Sequence, residues 1–116
     1  MTETSNINFH YVEGRKEQIE SITKFISDTF CSYSFDRMVR CIKDCGFKDY
    51  EYNKFLEYNK SRVEKLSDEE LSFVTILITK IKKGKIMQSD EEDFYECRTN
   101  GIYFNKKGKL VMLMLQ

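Results

Sequence analysis

A change of period constrains what this chain can fold into. From Arg15 to about Ile81, apolar residues recur every three to four positions; after Asn100-Gly101 they run in short strand-like segments. Spacing near 3.6 builds amphipathic helices and spacing of two builds strands, so helices are expected to precede a C-terminal hairpin. The chain contains no alanine and no proline. Its helices must therefore be specified by caps and apolar stripes instead of by alanine propensity.

The first stripe is Ile19, Ile22, Ile26 and Phe30, widened by Phe25, which predicts a helix from Arg15 to about Cys31. A second helix is expected from Ser34, its N-cap, to Cys45, with Phe35, Met38, Val39 and Ile42 inward and Gly46 as the left-handed residue that ends it. Asp49 is placed to cap a third helix that turns Tyr52, Phe55, Leu56 and Val63 inward. The fourth opens on a capping box, Ser67 and Glu70, flanked by Leu66 and Leu71 at hydrophobic-staple positions. Its body, LSFVTILITKI, would pass for a strand on propensity alone. The box, the length and Gly84 at the far end favour a helix. Ser89 and Glu92 form a second box and predict a fifth, shorter helix closed by Asn100-Gly101.

Two segments read as strand. Residues 7–12 alternate, with Ile7, Phe9 and Tyr11 on one side, and Gly14 breaks the pattern. Ile102–Phe104 and Leu110–Leu115 flank Asn105-Lys106-Lys107-Gly108, a hairpin whose three-residue loop puts Gly108 in the left-handed position of a G1 bulge. The expected fold is α+β, with about five helices packed on a small antiparallel sheet made of the N-terminal strand and the C-terminal hairpin. No linker, repeat or low-complexity tract divides the chain, so residues 1–116 are read as a single compact domain.

The 19 basic and 19 acidic side chains cancel. A general nucleic-acid binder needs a basic excess to displace counterions from phosphate, so that class is disfavoured. Lys80, Lys82, Lys83 and Lys85 fall where the fourth helix is expected to stop, and Asp90 to Asp93 where the fifth is expected to start. Those are the signs that helix dipoles favour. Lys106, Lys107 and Lys109 at the hairpin tip have no such explanation. Helices followed by a two-stranded wing with a basic tip resemble a winged-helix domain across residues 67–115. That resemblance implies nucleic-acid binding through Lys106, Lys107 and Lys109. It departs from the DNA-binding pattern where the helix before the wing, which should enter the groove, begins with four carboxylates.

The chain carries one histidine, His10, and four cysteines, Cys31, Cys41, Cys45 and Cys97. Cys41 and Cys45 share a helix face, but structural zinc sites bring ligands as short knuckle pairs and only this pair is close. The cysteines are expected in the core. No nucleophile elbow, P-loop or dinucleotide fingerprint occurs. No catalytic residue, metal ligand or cofactor is assigned. A small enzyme or zinc-binding protein is the second alternative after the winged-helix one. With no apolar run of roughly 18 residues and no signal-peptide pattern, the expected location is the cytoplasm, without a membrane partner.

Two surfaces remain unexplained. In LVMLML, Leu110, Met112 and Met114 face opposite to Val111, Leu113 and Leu115, so the C-terminal strand is apolar on both faces. Either helices cover both, or the outer face meets a partner protein or a second copy of the chain. Tyr50, Lys54, Tyr58 and Arg62 recur at four-residue steps opposite the core face of the third helix, and tyrosine and arginine are enriched at binding hot spots. The favoured reading is a small non-enzymatic protein-binding or regulatory module using these two surfaces. A small domain with this Lys, Asn, Ile, Phe and Tyr bias also resembles the inhibitors that phages and mobile elements make against host defences, anti-CRISPR proteins among them.

Overall fold

In the computed structural model, residues 2–92 and 100–113 are described, with side chains placed over 14–82 and 100–113. They form α1 (Thr2–Ser32), α2 (Phe35–Asp44), α3 (Tyr52–Glu64), α4 (Asp68–Glu92), β1 (Gly101–Phe104) and β2 (Leu110–Leu113). The α+β class holds, with four helices and one two-stranded antiparallel sheet among the described residues.

Local signals account for most boundaries. The Ser34 hydroxyl accepts the Arg37 N–H at 3.3 Å and starts α2, and Gly46, at φ +86°, ends it. The fourth-helix capping box is closed from both sides: Ser67 N–H donates to Glu70 Oε1 at 2.8 Å, and Glu70 N–H to Ser67 Oγ at 3.1 Å. Gly108, at φ +78°, donates to the Asn105 carbonyl at 2.9 Å, and Asn105 N–H to that of Lys109 at 2.9 Å, as a G1-bulge hairpin requires. The start of α3 differs from expectation. Glu51, not Asp49, occupies the N-cap, and its carboxylate accepts the Lys48 N–H at 2.8 Å.

Three expectations fail. Residues 7–12 are not a strand but part of α1. Ile7 and Tyr11 are also four apart and continue into the Ile19–Phe30 stripe, so the short alternation was a fragment of a helical repeat. Gly14 is accommodated, because one helical glycine costs only about 1 kcal/mol. Gly84 likewise does not stop α4, which runs on to Glu92, so Ser89 and Glu92 lie inside it and open no fifth helix. The remainder of that expected helix, through residue 99, lies outside the described residues. The lysines at 80–85 are thus mid-helix, and Asp90 to Glu92 lie in the same helix instead of starting another. Among the described residues, no separate helix begins at Ser89, where the winged-helix resemblance places one.

The core is one cluster with members from every helix and from β1. Ile22, Ile26 and Phe30 of α1 join Ile42 of α2, Phe55 and Val63 of α3, Leu71, Val74 and Ile78 of α4, and Ile102. Leu110, Val111 and Leu113 of β2 pack against it half-buried. Phe30 stacks on Phe55 with centroids 4.4 Å apart, and Tyr103 lies tilted 6.0 Å from Phe55. Phe35, expected inward on α2, is 62% exposed. The buried arc of that helix is instead centred on Cys41, Ile42 and Cys45 at its C-terminal end.

Candidate functional site

The hairpin is held in place by polar groups reaching from α3 and from the C-terminal end of α2. All four residues of β1 are buried. In antiparallel pairing, alternate residues turn their backbone groups toward the partner strand and away from it. The register pairs Tyr103 with Val111 and Phe104 with Leu110, and the Asn105–Lys109 bond sets the phase, so the Phe104 amide and carbonyl point away from β2. Asn59 of α3, 1% exposed, meets them there. Its Oδ1 accepts the Phe104 N–H at 2.6 Å while its Nδ2 donates to the Phe55 carbonyl at 3.0 Å. The Cys45 thiol donates to the Phe104 carbonyl at 3.1 Å. The Tyr103 hydroxyl donates to Asp44 Oδ2 at 2.6 Å, and burial together with that carboxylate pushes its pKa far above the ordinary phenol range. The Lys106 amide donates to the Asp44 carbonyl at 3.1 Å and docks the turn on the end of α2.

Tyr50, Lys54, Tyr58 and Arg62 do not form one outward stripe. Tyr50 precedes α3 and is 65% exposed. Lys54 is exposed and pairs with Glu51 at 2.7 Å. The half-buried Tyr58 donates its hydroxyl to the Asn105 carbonyl and packs edge-on against Phe47. The Arg62 guanidinium lies under the hairpin loop, where a Cβ on Gly108 would overlap it. The lower half of the stripe therefore supports the hairpin. Lys106, Lys107 and Lys109 are exposed at its tip. The loop amides of Lys107 and Lys109 are both taken by Asn105 Oδ1 at 3.0 Å, so these two are not free to cradle an anion.

Both faces of β1 are covered. A Cβ on Gly101 would strike the Tyr33 hydroxyl, and Tyr103 on the same face meets Phe55 and Asp44. The opposite face, through Phe104 and its partner Leu110, borders Leu66, Phe73 and Val74 across a groove of about 310 Å³. On β2 the cover thins: Leu110 is half-buried and Met112 is 42% exposed, while Met114 lies outside the described residues. Beside the groove, Phe73 and Ile76 of α4 are 63% and 57% exposed. Sequence reasoning missed these two, although they fall off the Leu71, Val74, Ile78, Ile81 stripe that α4 buries. A second groove, between α1 and α3, is lined by Lys16, Lys24 and Lys60 alongside Glu20, Asp28 and Glu64. The two signs alternate around it, so it favours no ligand charge.

Cys41 and Cys45 are buried, as expected, whereas Cys31 is exposed and Cys97 lies outside the described residues. Burial pushes the Cys41 and Cys45 thiols up to about 11 and about 12. The folded chain thus holds two protons that the unfolded chain releases near pH 8.5. Their contribution to stability is constant below that pH and is lost as pH rises toward those raised values. In the folded protein an alkylating reagent at mildly alkaline pH should label Cys31 and spare Cys41 and Cys45 until denaturant is added, read by peptide mass spectrometry. Equal labelling of all three would contradict the packing. Among the described residues, no group of three or more His, Cys, Asp or Glu side chains is placed to hold a metal ion, and no helix is long and apolar enough to cross a membrane. Comparison with protein-family models, with curated proteins and with solved structures finds no match to this chain.

Proposed function

We propose that this chain is a non-enzymatic protein-binding regulator whose contact surface is the apolar ridge of α4 with the adjoining strand β2. The observation that carries this reading is the exposure of Phe73 on the groove that Leu66 and Leu110 line, with Ile76 one turn on from Phe73 and Met112 two residues on from Leu110 also exposed. Exposed apolar surface gathered beside a groove gains about 25 cal/mol per Å² when a partner removes it from water. An aromatic anchor such as Phe73 suits the centre of such a contact. Tyr50 offers a second exposed ring, while Tyr58 and Arg62 serve by holding the hairpin. Within this reading the favoured process is inhibition of a host defence system in the manner of anti-CRISPR proteins, for which the support is the chain's small size and residue bias.

The full chain, immobilised, should retain a stoichiometric protein partner from bacterial lysate. Phe73→Asp with Ile76→Asp should lower capture at least tenfold, about 1.4 kcal/mol, without shifting the unfolding midpoint, because neither side chain is in the core. Retention of nothing, or equal retention by the double variant, would overturn the reading. Loss of capture on Lys106→Glu with Lys107→Glu, but not on the α4 changes, would move the site to the hairpin tip.

A further inference from the structure

The two edges of the hairpin are treated differently. On β1 the outward amide and carbonyl of Phe104 are satisfied inside the protein by Asn59 and Cys45. On β2 the same alternation turns the backbone groups of Val111 and Leu113 toward β1 and those of Leu110 and Met112 outward. Among the described residues, no side chain or backbone group meets the outward amides and carbonyls of Leu110 and Met112. Edge strands in monomeric proteins are commonly guarded by charge, proline or a bulge within the strand. Leu110-Val111-Met112-Leu113 has none of these.

We infer that this edge pairs with the β2 edge of a second copy of the chain, giving a four-stranded antiparallel sheet about a two-fold axis midway between the two Val111 residues. The row is self-complementary. Placing Leu110 opposite Met112 of the second copy, and Met112 opposite its Leu110, aligns every outward N–H with an outward C=O and forms four backbone hydrogen bonds. The charge pattern permits it. In this register Lys109 faces Leu113 of the second copy, so no like charges stand directly opposite each other. Cross-strand neighbours share a face, so Leu110 and Met112 of both copies line the same side of the joined sheet. That side carries the groove to Phe73 in each copy. The pairing sets Met112 beside Leu110 of the second copy and brings the two ridges onto one side. The inference stands on the backbone geometry of β2 and is independent of what the ridge binds.

Proline at 112 separates the pairing from the fold. The Met112 N–H points away from β1, so Met112→Pro deletes an intermolecular donor without breaking the internal ladder, as edge positions allow. Met112→Lys keeps the donor but adds a guarding charge. Sedimentation of the full chain from micromolar to submillimolar concentration should show a dimer. Met112→Lys should weaken it at least tenfold, and Met112→Pro should do the same with the far-UV circular dichroism of the parent. Hydrogen exchange adds a local readout: the Leu110 and Met112 amides should be protected in the dimer and fast in the diluted monomer, while Val111 stays protected in both. A parent chain monomeric throughout, or a dimer that Met112→Lys leaves at parental affinity, would overturn the inference. So would Leu110 and Met112 amides that exchange equally in both states. Should the proline variant unfold, the lysine variant and the amide pattern decide.

Discussion

Replacing Asn59 with leucine should destabilise the protein by about 1–3 kcal/mol, although leucine is similar in size and more apolar. On hydrophobic transfer alone, leucine at a position 1% exposed would be a gain. The opposite sign is expected because Asn59 Oδ1 accepts the Phe104 N–H at 2.6 Å inside the core. Leucine leaves that donor buried and unpaired. Urea unfolding measures the loss, and hydrogen exchange should locate it by a selective rise in the rate of the Phe104 amide. A leucine variant as stable as the parent would show that the Phe104 amide is satisfied elsewhere.

A larger loss, about 3–5 kcal/mol, is expected for Phe55→Ala. Phe55 is fully buried against the Phe30 ring, 4.4 Å away, and near the Tyr103 ring, 6.0 Å away. It thereby joins α1, α3 and β1 at one point, and truncation leaves a cavity that three elements cannot collapse together to fill. Domains of this size are typically stable by only about 5–15 kcal/mol, so the variant should be partly unfolded at the warm end of the physiological range. Its thermal midpoint by circular dichroism checks this. A shift no larger than that of an exposed substitution such as Phe73→Ala would mean that the aromatic contact is not the centre of the core.

The elements with strong local signals were legible in the sequence, and those with competing signals were not. The capping box at Ser67 and Glu70, the N-cap at Ser34 and the glycines at 46 and 108 each act within four residues, and each stands where expected. The alternation at residues 7–12 and the glycine at 84 were equally local, but weak. Six alternating residues do not outweigh a helical repeat that continues on one side. One helical glycine costs too little to end a helix that already buries Leu71, Val74, Ile78 and Ile81. Asn59 was signalled, standing four residues from both Phe55 and Val63 on the inward stripe, yet its acceptor role depends on a strand 45 residues away.

The candidate surface divides along the same line. The sequence by itself determined that the C-terminal strand is apolar on both faces, because alternation assigns side chains to faces whatever packs against them. It could not determine which face, or which edge, would be covered. That depended on how α2 and α3 approach the hairpin, and they approach from the β1 side, bringing Asp44, Cys45, Asn59 and Tyr58 to it. Only the tertiary structure decided that Tyr58 and Arg62 are spent on the hairpin, that Phe73 and Ile76 are left outside, and that no described residue meets the outer edge of β2. The physical reason is that burial and hydrogen-bond satisfaction are properties of the packed neighbours, whereas caps and periods are properties of the chain.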